Sequence, residues 1–201
     1  MKLYDLTVSP NARRVRVCAA ELAMPLDRVA LDFAKGEQRT PAYLALNPMG
    51  KIPTITDGDF VLWESAAILC HLGAQRPGSI WPTEPQAQAQ VLQWLFFTSC
   101  HLDPYFTTLV VERFIKPRRN LPGDEARVAH AKEQLARFLD VVEQQLAKHE
   151  FLTGHYSLAD IAAGCTIDLA PSLELPLAQY PHTRGWLERL KARPSWRDAA
   201  A

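Results

Sequence analysis

The sequence lacks any excess of charge: Lys plus Arg and Asp plus Glu each number 22 among its 201 residues. A zero formal charge sets up no global field to gather nucleic acid or an anionic membrane, so binding to a polyanion by bulk charge is not expected. Cysteine is sparse. Cys18, Cys70, Cys100 and Cys165 lie far apart with no C-x-x-C pair, which speaks against a disulfide framework, a zinc ribbon or an internal dithiol redox pair, and for reduced thiols. The six histidines form no H-E-x-x-H and no Cys/His cluster, so no metal site is expected. No apolar run reaches the roughly 18 residues that span a bilayer, and MKLYDL is not a basic-then-apolar leader. The expectation is a soluble, cytoplasmic protein. With 48% hydrophobic and 22% charged residues there is material for one large or two small cores, and disorder is excluded.

Up to residue 75 strand-like and helical patterns alternate, which predicts an α/β unit. Lys2 to Leu6 reads as a strand, and Val15, Cys18, Ala19 and Leu22 recur at helical spacing until Pro25. Asp27 to Phe33 alternates as a second strand. Thr54 to Thr56 and Phe60 to Leu62 flank Asp57-Gly58, a strong hairpin signal, and Ser65 is placed to cap a helix that runs to Gly73. The predicted order is βαβ followed by ββα. RPGSIWPTEP, over residues 76–85, cannot continue a helix and reads as a linker. Beyond it only helical periodicity remains, near 86–115, 124–148, 158–170 and 183–193, so residues 86–201 are predicted to form an all-α domain ending in a frayed alanine tail.

Three short constellations carry chemistry. Ser9-Pro10-Asn11-Ala12-Arg13 sits at the turn from first strand to first helix, where a hydroxyl and the positive helix end can hold a thiolate; the same residues also read as a plain N-cap with proline at its favoured first position. Asn47-Pro48-Met49-Gly50-Lys51-Ile52-Pro53 precedes the third strand. A cis proline there leaves backbone groups able to pair with an extended peptide, and an ordinary trans loop is the alternative. Trp63-Glu64-Ser65-Ala66-Ala67-Ile68 opens a helix with an anion-binding serine and an acid able to accept from an ammonium, a match to an α-amino acid head group, or simply a capped helix beside a solvated acid. In the helical half Ser157-Leu158-Ala159-Asp160 has the S-x-x-D capping pattern, which gives Asp160 a folding task. Phe97, His101 and Tyr105 form a stripe at i, i+4 and i+8 that lines either a pocket, a core or a subunit contact.

Taken in order, these three segments resemble the amino-terminal domain of glutathione S-transferases. The resemblance runs through ALNPMGKIPTITDGDFVLWESAAI and into FLTGHYSLADIAAG and YPHTRGWLERLKARPSW, which is essentially the whole chain. It implies a thioredoxin-like domain over 1–75, a linker over 76–85 and an all-helical domain over 86–201 that supplies the second-substrate pocket. It further implies that Pro53 is cis, that the backbone of Ile52 meets the cysteinyl part of glutathione, that Glu64 and Ser65 hold the γ-glutamyl group, and that Gln38, Arg39 and Lys51 lie near the glycine carboxylate. Ser9 looks like the activating hydroxyl of theta, phi and related bacterial classes. Asn11 opens a second possibility, since a bacterial class with disulfide-reductase activity pairs a hydroxyl residue with an asparagine near the sulfur. Ala66 stands where the phi pattern favours arginine, so no class is assigned. Asp103 matches a region that can offer a carboxylate to the partner subunit's glutathione, and Val8, Phe97, His101 and Tyr105 are the candidates for the second-substrate pocket.

The expected protein is thus a homodimeric glutathione transferase acting on a small apolar electrophile, with no metal and no cofactor beyond glutathione as co-substrate. The alternatives are a glutathione-dependent disulfide or peroxide reductase and a non-catalytic binding module of the same fold.

Overall fold

The computed structural model describes residues 1–199, which form two compact units; Ala200 and Ala201, the end of the expected alanine tail, lie outside the described residues. Of the described residues, the first unit comprises Met1–Thr83 together with 191–199, and the second comprises Glu84–Leu190. The last segment therefore belongs with the α/β unit, a correction to the reading that assigned all of 86–201 to the helical domain. The cause is side-chain chemistry that local spacing does not reveal. Arg193 pairs with Glu21 at 2.7 Å, Ser195 Oγ also donates to Glu21, and Arg16 donates to the Ala199 carbonyl at 3.0 Å.

In the first unit β1 (Lys2–Asp5), β2 (Asp27–Ala30), β3 (Thr54–Asp57) and β4 (Phe60–Trp63) form one sheet in the order β2-β1-β3-β4. β1 and β2 are parallel, as expected when a helix, α1 (Pro10–Glu21), connects them; β3 is antiparallel to both β1 and β4. Gly58, at φ +59°, makes the tight turn between β3 and β4. Strand alternation sorts the side chains. Leu3 and its register partner Ile55 are buried in the core with Val15 and Cys18 of α1 and Ile68, Leu69 and Leu72 of α3 (Ser65–Ala74). Tyr4 points the other way, with its ring centroid 5.4 Å from that of Tyr43 on α2 (Pro41–Leu46), a short helix the periodicity did not predict.

The second unit begins with α4 (Pro85–Phe97), which continues through a π-helical turn at Thr98–Leu102 into α5 (Asp103–Val110), and through a second at Val111–Ile115 into α6 (Lys116–Arg118). α7 (Glu125–Leu146) and α8 (Leu158–Ile167) follow, then α9 (Pro181–Ala192), whose last two residues pass into the first unit; α10 (Pro194–Asp198) lies wholly in that unit. Every residue of α8 is buried, so its only polar interior groups must be satisfied locally. Asp160 accepts from the backbone N–H of Ser157 and of Leu152, each at 2.9 Å, from Ser157 Oγ at 3.2 Å and from the Trp186 indole at 3.0 Å. Among the described residues no helix is long and apolar enough to cross a membrane.

Candidate functional site

The turn from β1 to α1 places Ser9 at the N-cap. Its Oγ accepts from the Ala12 N–H at 3.3 Å and its backbone N–H donates to the Leu6 carbonyl at 2.8 Å, while Pro10 takes the first helical position, where no N–H is needed. With Oγ acting as an acceptor, the hydroxyl proton is left to donate outward. Asn11, one residue into the helix, turns its Oδ1 inward to accept from Arg14 Nη1 at 2.7 Å. Arg14 has no acceptor atom, so the orientation of the amide is set: the NH2 group is the end left to face a ligand. Two donors therefore stand at the positive end of a 12-residue helix.

The same Arg14 nitrogen donates to Ser65 Oγ at 3.1 Å, and Ser65 Oγ donates to Asn11 Oδ1 at 3.5 Å. This brings the N-termini of α1 and α3 side by side. It also revises the role of Ser65, which occupies the first turn of α3, whereas the N-cap is Glu64, whose side chain makes no capping bond. Glu64 has φ +73° and ψ 113°, a conformation L-residues adopt at a cost of about 1–3 kcal/mol and one that concentrates at ligand sites. Its carboxylate is exposed.

The Ile52-Pro53 peptide is cis. The loop before it is assembled around Asn47, which is 2% exposed: Asn47 Nδ2 donates to the Lys51 carbonyl at 2.8 Å and to Thr54 Oγ1 at 3.1 Å, and its Oδ1 accepts from Met49 N–H at 3.0 Å. Tyr43 adds its hydroxyl to the Lys51 carbonyl at 2.5 Å. Burial pushes the Tyr43 phenol up, which keeps it a neutral donor. Neither backbone polar group of Ile52 pairs with another described residue, so both can meet a peptide-like ligand. Gly50, at φ +57°, lies so close to the Gln38 carbonyl that a Cβ would come within 2.9 Å of it. The contact sets the short 3-10 turn Glu37–Arg39 against the loop. Gln38 Oε1 is buried with no partner among the described residues, and Arg39 and Lys51 are exposed.

The first unit thus brings Ser9, Asn11 and Ser65 into one cluster and places Gln38 beside the Gly50 and Lys51 turn. Val8 stands 78% exposed in the β1–α1 turn. Four candidates, Phe97, His101, Tyr105 and Asp103, belong to the second unit. Phe97 and His101 are 5.5 Å apart by ring centroid and Phe138 of α7 lies 6.0 and 5.0 Å from them; Tyr105 packs against Phe138 at 5.9 Å and His130 at 5.8 Å. The stripe is an aromatic cluster shared with α7. A cleft of about 370 Å³ opens beside it, lined by Tyr105, Thr108, Arg127 and His130. Asp103 Oδ1 accepts from Thr166 Oγ1 of α8 at 2.8 Å, a tie inside the helical unit.

Arg14, Tyr43 and Phe138 escaped the sequence reading, and Asn47 stood in it only as the first residue of the loop before the third strand. Arg14 left one trace, since it falls at i−4 from buried Cys18, where an apolar residue is expected. Protein thiols do not compete for the nucleophile's role: burial pushes Cys18 far up and Cys70 to about 11. Among the described residues no group of three or more His, Cys, Asp or Glu side chains is placed to hold a metal ion.

Comparison with known proteins bears on what this cluster is for. The family model described as the glutathione S-transferase N-terminal domain matches residues 8–75, and that of the C-terminal domain matches residues 90–194. A probable glutathione S-transferase of Oryza sativa, GSTF2, is 35% identical over 206 residues, covering 100% of this chain and 96% of its own. Among solved structures, a glutathione S-transferase from Pseudomonas fluorescens is 36% identical with a TM-score of 0.84, covering 96% of each chain. The glutathione transferase URE2P6 from Phanerochaete chrysosporium, in complex with oxidized glutathione, is 28% identical with a TM-score of 0.89, covering 98% of this chain and 93% of its own.

Proposed function

The chain belongs to the glutathione S-transferase family, and from that premise we propose that it binds glutathione on its first unit, stabilises the thiolate and transfers it to a small apolar electrophile. The observation that carries this reading is the convergence of two outward donors, the Ser9 hydroxyl and the Asn11 amide, at the N-terminus of α1, directly beside Ser65 at the start of α3. The thiolate sits against the first pair. The γ-glutamyl carboxylate meets Ser65 and the α3 N-terminus, and the α-ammonium meets Glu64. The cysteinyl backbone pairs with Ile52 beside Pro53, and the glycine carboxylate faces Gln38, Arg39 and Lys51.

Free cysteine thiol has a pKa near 8.5, so bringing the bound thiol down by about two units requires about 2.7 kcal/mol of preferential stabilisation of the anion. A hydrogen bond to a charged group supplies about 1.5 to 3 kcal/mol and a helix N-terminus a further ~0.3–1 kcal/mol, so the arrangement is of sufficient size. The thiol proton leaves to solvent. The sulfur lone pair forms the new C–S bond as a leaving group departs with the electrons of the broken bond, or as those electrons move into an activated double bond. Val8 on the first unit and Phe97, His101 and Tyr105 on the second are the candidates for recognising the electrophile, and Asp103 for reaching the partner subunit's glutathione.

The protein acts as a homodimer in the cytoplasm under this reading. Support comes from the exposed apolar side chains Phe60 and Val61 on the edge strand β4 and Phe96 on α4, and from four free cysteines. The inward turn of Asn11 Oδ1, which leaves its NH2 as a thiolate donor, favours one second reading: glutathione attacks a mixed disulfide, forming glutathione disulfide and releasing the other thiolate. Calorimetric titration with glutathione, followed by turnover of 1-chloro-2,4-dinitrobenzene and of a mixed disulfide, tests both. Binding with conjugation supports the transferase, binding with disulfide turnover alone supports the reductase, and no binding overturns both.

A further inference from the structure

Arg14 is 1% exposed on α1, and a guanidinium in that position demands a reason, because a buried cation is retained only where its donors are used. One of its nitrogens, Nη1, serves two acceptors that are 54 residues apart in the chain: Asn11 Oδ1 at 2.7 Å and Ser65 Oγ at 3.1 Å. Both acceptors belong to the groups that face the ligand. We propose that Arg14 is a positioning residue that links the thiol end and the γ-glutamyl end of the glutathione site, so that each end is competent only while Arg14 holds the other. The inference rests on the glutathione reading above.

The physical argument has three parts. First, Arg14 can only donate, so it selects the rotamer of Asn11 in which the carbonyl is inward and the NH2 outward; without it the amide is free to turn and present a carbonyl, which repels a thiolate. Second, it donates to Ser65 Oγ, which donates in turn to Asn11 Oδ1 over a long 3.5 Å contact, so the three side chains form one hydrogen-bonded set whose hydroxyl can exchange that long contact for a γ-glutamyl carboxylate at the start of α3. Third, its positive charge sits in a low-dielectric interior close to the sites of two ligand anions, where it is poorly screened and favours both. The planar fork of arginine suits holding two oxygens at fixed directions, which a lysine ammonium on a flexible stem does not do.

The test uses the full-length protein and three readouts: the apparent pKa of bound glutathione from its thiolate absorbance, KM for glutathione set against kcat, and Tm. For Arg14→Met, expected results are a rise of about one unit in the bound thiol's pKa and a several-fold higher KM. Arg14→Lys keeps the charge and loses the geometry, so it is expected to raise KM with a smaller change in pKa. The diagnostic is the double variant: once Arg14 is replaced, Asn11→Ala is expected to raise the thiol pKa no further, whereas it does so in the wild type. A merely structural role would lower Tm in both Arg14 variants and leave pKa and KM of the folded fraction unchanged, which overturns the proposal. Additive effects of Arg14→Lys and Asn11→Ala overturn it as well, and this pair serves if Arg14→Met does not fold. Failure of the wild type to develop thiolate absorbance with glutathione overturns the glutathione reading itself, a result distinct from any of these.

Discussion

The indole N–H of Trp186 donates to Asp160 Oδ1 at 3.0 Å, which joins α9 to the first turn of α8 through a carboxyl group with no exposure to solvent. Asp160 is therefore more than half of a capping box. The same oxygen accepts from Leu152 N–H, so one side chain holds the helix start, the preceding loop and a tryptophan. Asp160→Ala strands several buried donors at about 1–3 kcal/mol each, and the expected loss is about 3 to 5 kcal/mol with Tm lower by roughly 10 °C. Activity per folded molecule is expected to hold. Thermal unfolding together with active-site titration checks both statements, and intact Tm with abolished activity would overturn them.

Burial pushes the Asp160 carboxyl up to about 6 from 3.8, against the opposing effect of the hydrogen bonds from Leu152, Trp186 and Ser157. The native state thus holds the proton more tightly than the unfolded chain. The stabilisation from that proton is fully present below pH 3.8 and is lost as pH rises through about 6, a change of about 3 kcal/mol. Asp160→Asn has no such titration. The difference in unfolding free energy between wild type and Asp160→Asn is expected to narrow between pH 4 and pH 7, and a constant difference across that range would contradict the assignment.

Asn47→Ala removes three hydrogen bonds from a buried position and frees the Lys51 carbonyl from one of its two donors. The expected cost is about 2 to 3 kcal/mol of stability. Because the displaced segment carries the backbone of Ile52, KM for glutathione is expected to rise several-fold while kcat changes less, the pattern of lost ground-state binding. Steady-state kinetics at varied glutathione reads the split.

Ser9→Ala is expected to slow conjugation at pH 7 by roughly tenfold to a hundredfold, the worth of a hydrogen bond to an ionised sulfur, with a much smaller change in glutathione affinity and an upward shift of the pH-rate profile. It also removes an N-cap, at about 1 kcal/mol. Ser9→Gly separates the effects, since it retains cap stability to within a few tenths of a kcal/mol and still lacks the hydroxyl. Asn11→Ala is expected to be the milder of the two losses. Unchanged rate and pH profile in Ser9→Ala, with activity abolished in Asn11→Ala, would reverse the assignment and favour disulfide reduction.

Light scattering at micromolar concentration is expected to return twice the 22.6 kDa chain mass. Phe60→Glu, on the edge strand, is expected to shift the population toward monomer, because it sets a charge into an apolar contact. A wild-type monomer that still binds glutathione would remove the dimer, and with it the part proposed for Asp103.

Features that rest on a few neighbouring residues were legible in the sequence alone: the Asp57-Gly58 turn, proline after the Ser9 cap, the Ser157 and Asp160 box, and the change from alternating to helical periodicity after the proline-rich segment. Each is governed by backbone dihedrals or hydrogen bonds within about four residues, so spacing is enough to read it. The resemblance to glutathione S-transferases came from the ordered recurrence of such segments. What tertiary structure decided involves partners far apart along the chain. Ser65 passes from apparent cap to a first-turn hydroxyl that accepts from Arg14, 51 positions away, and donates to Asn11, 54 positions away. Asp103 is tied to Thr166 across 63 positions, and Glu21 to Arg193 across 172. The phase of the Phe97, His101 and Tyr105 stripe also passes through a π turn that no periodicity count anticipates, so its true neighbour is Phe138 on another helix. Local spacing carries no record of which distant group a side chain will meet; that is set only when the apolar faces of the helices and the sheet have found one another and brought those polar groups within hydrogen-bonding distance.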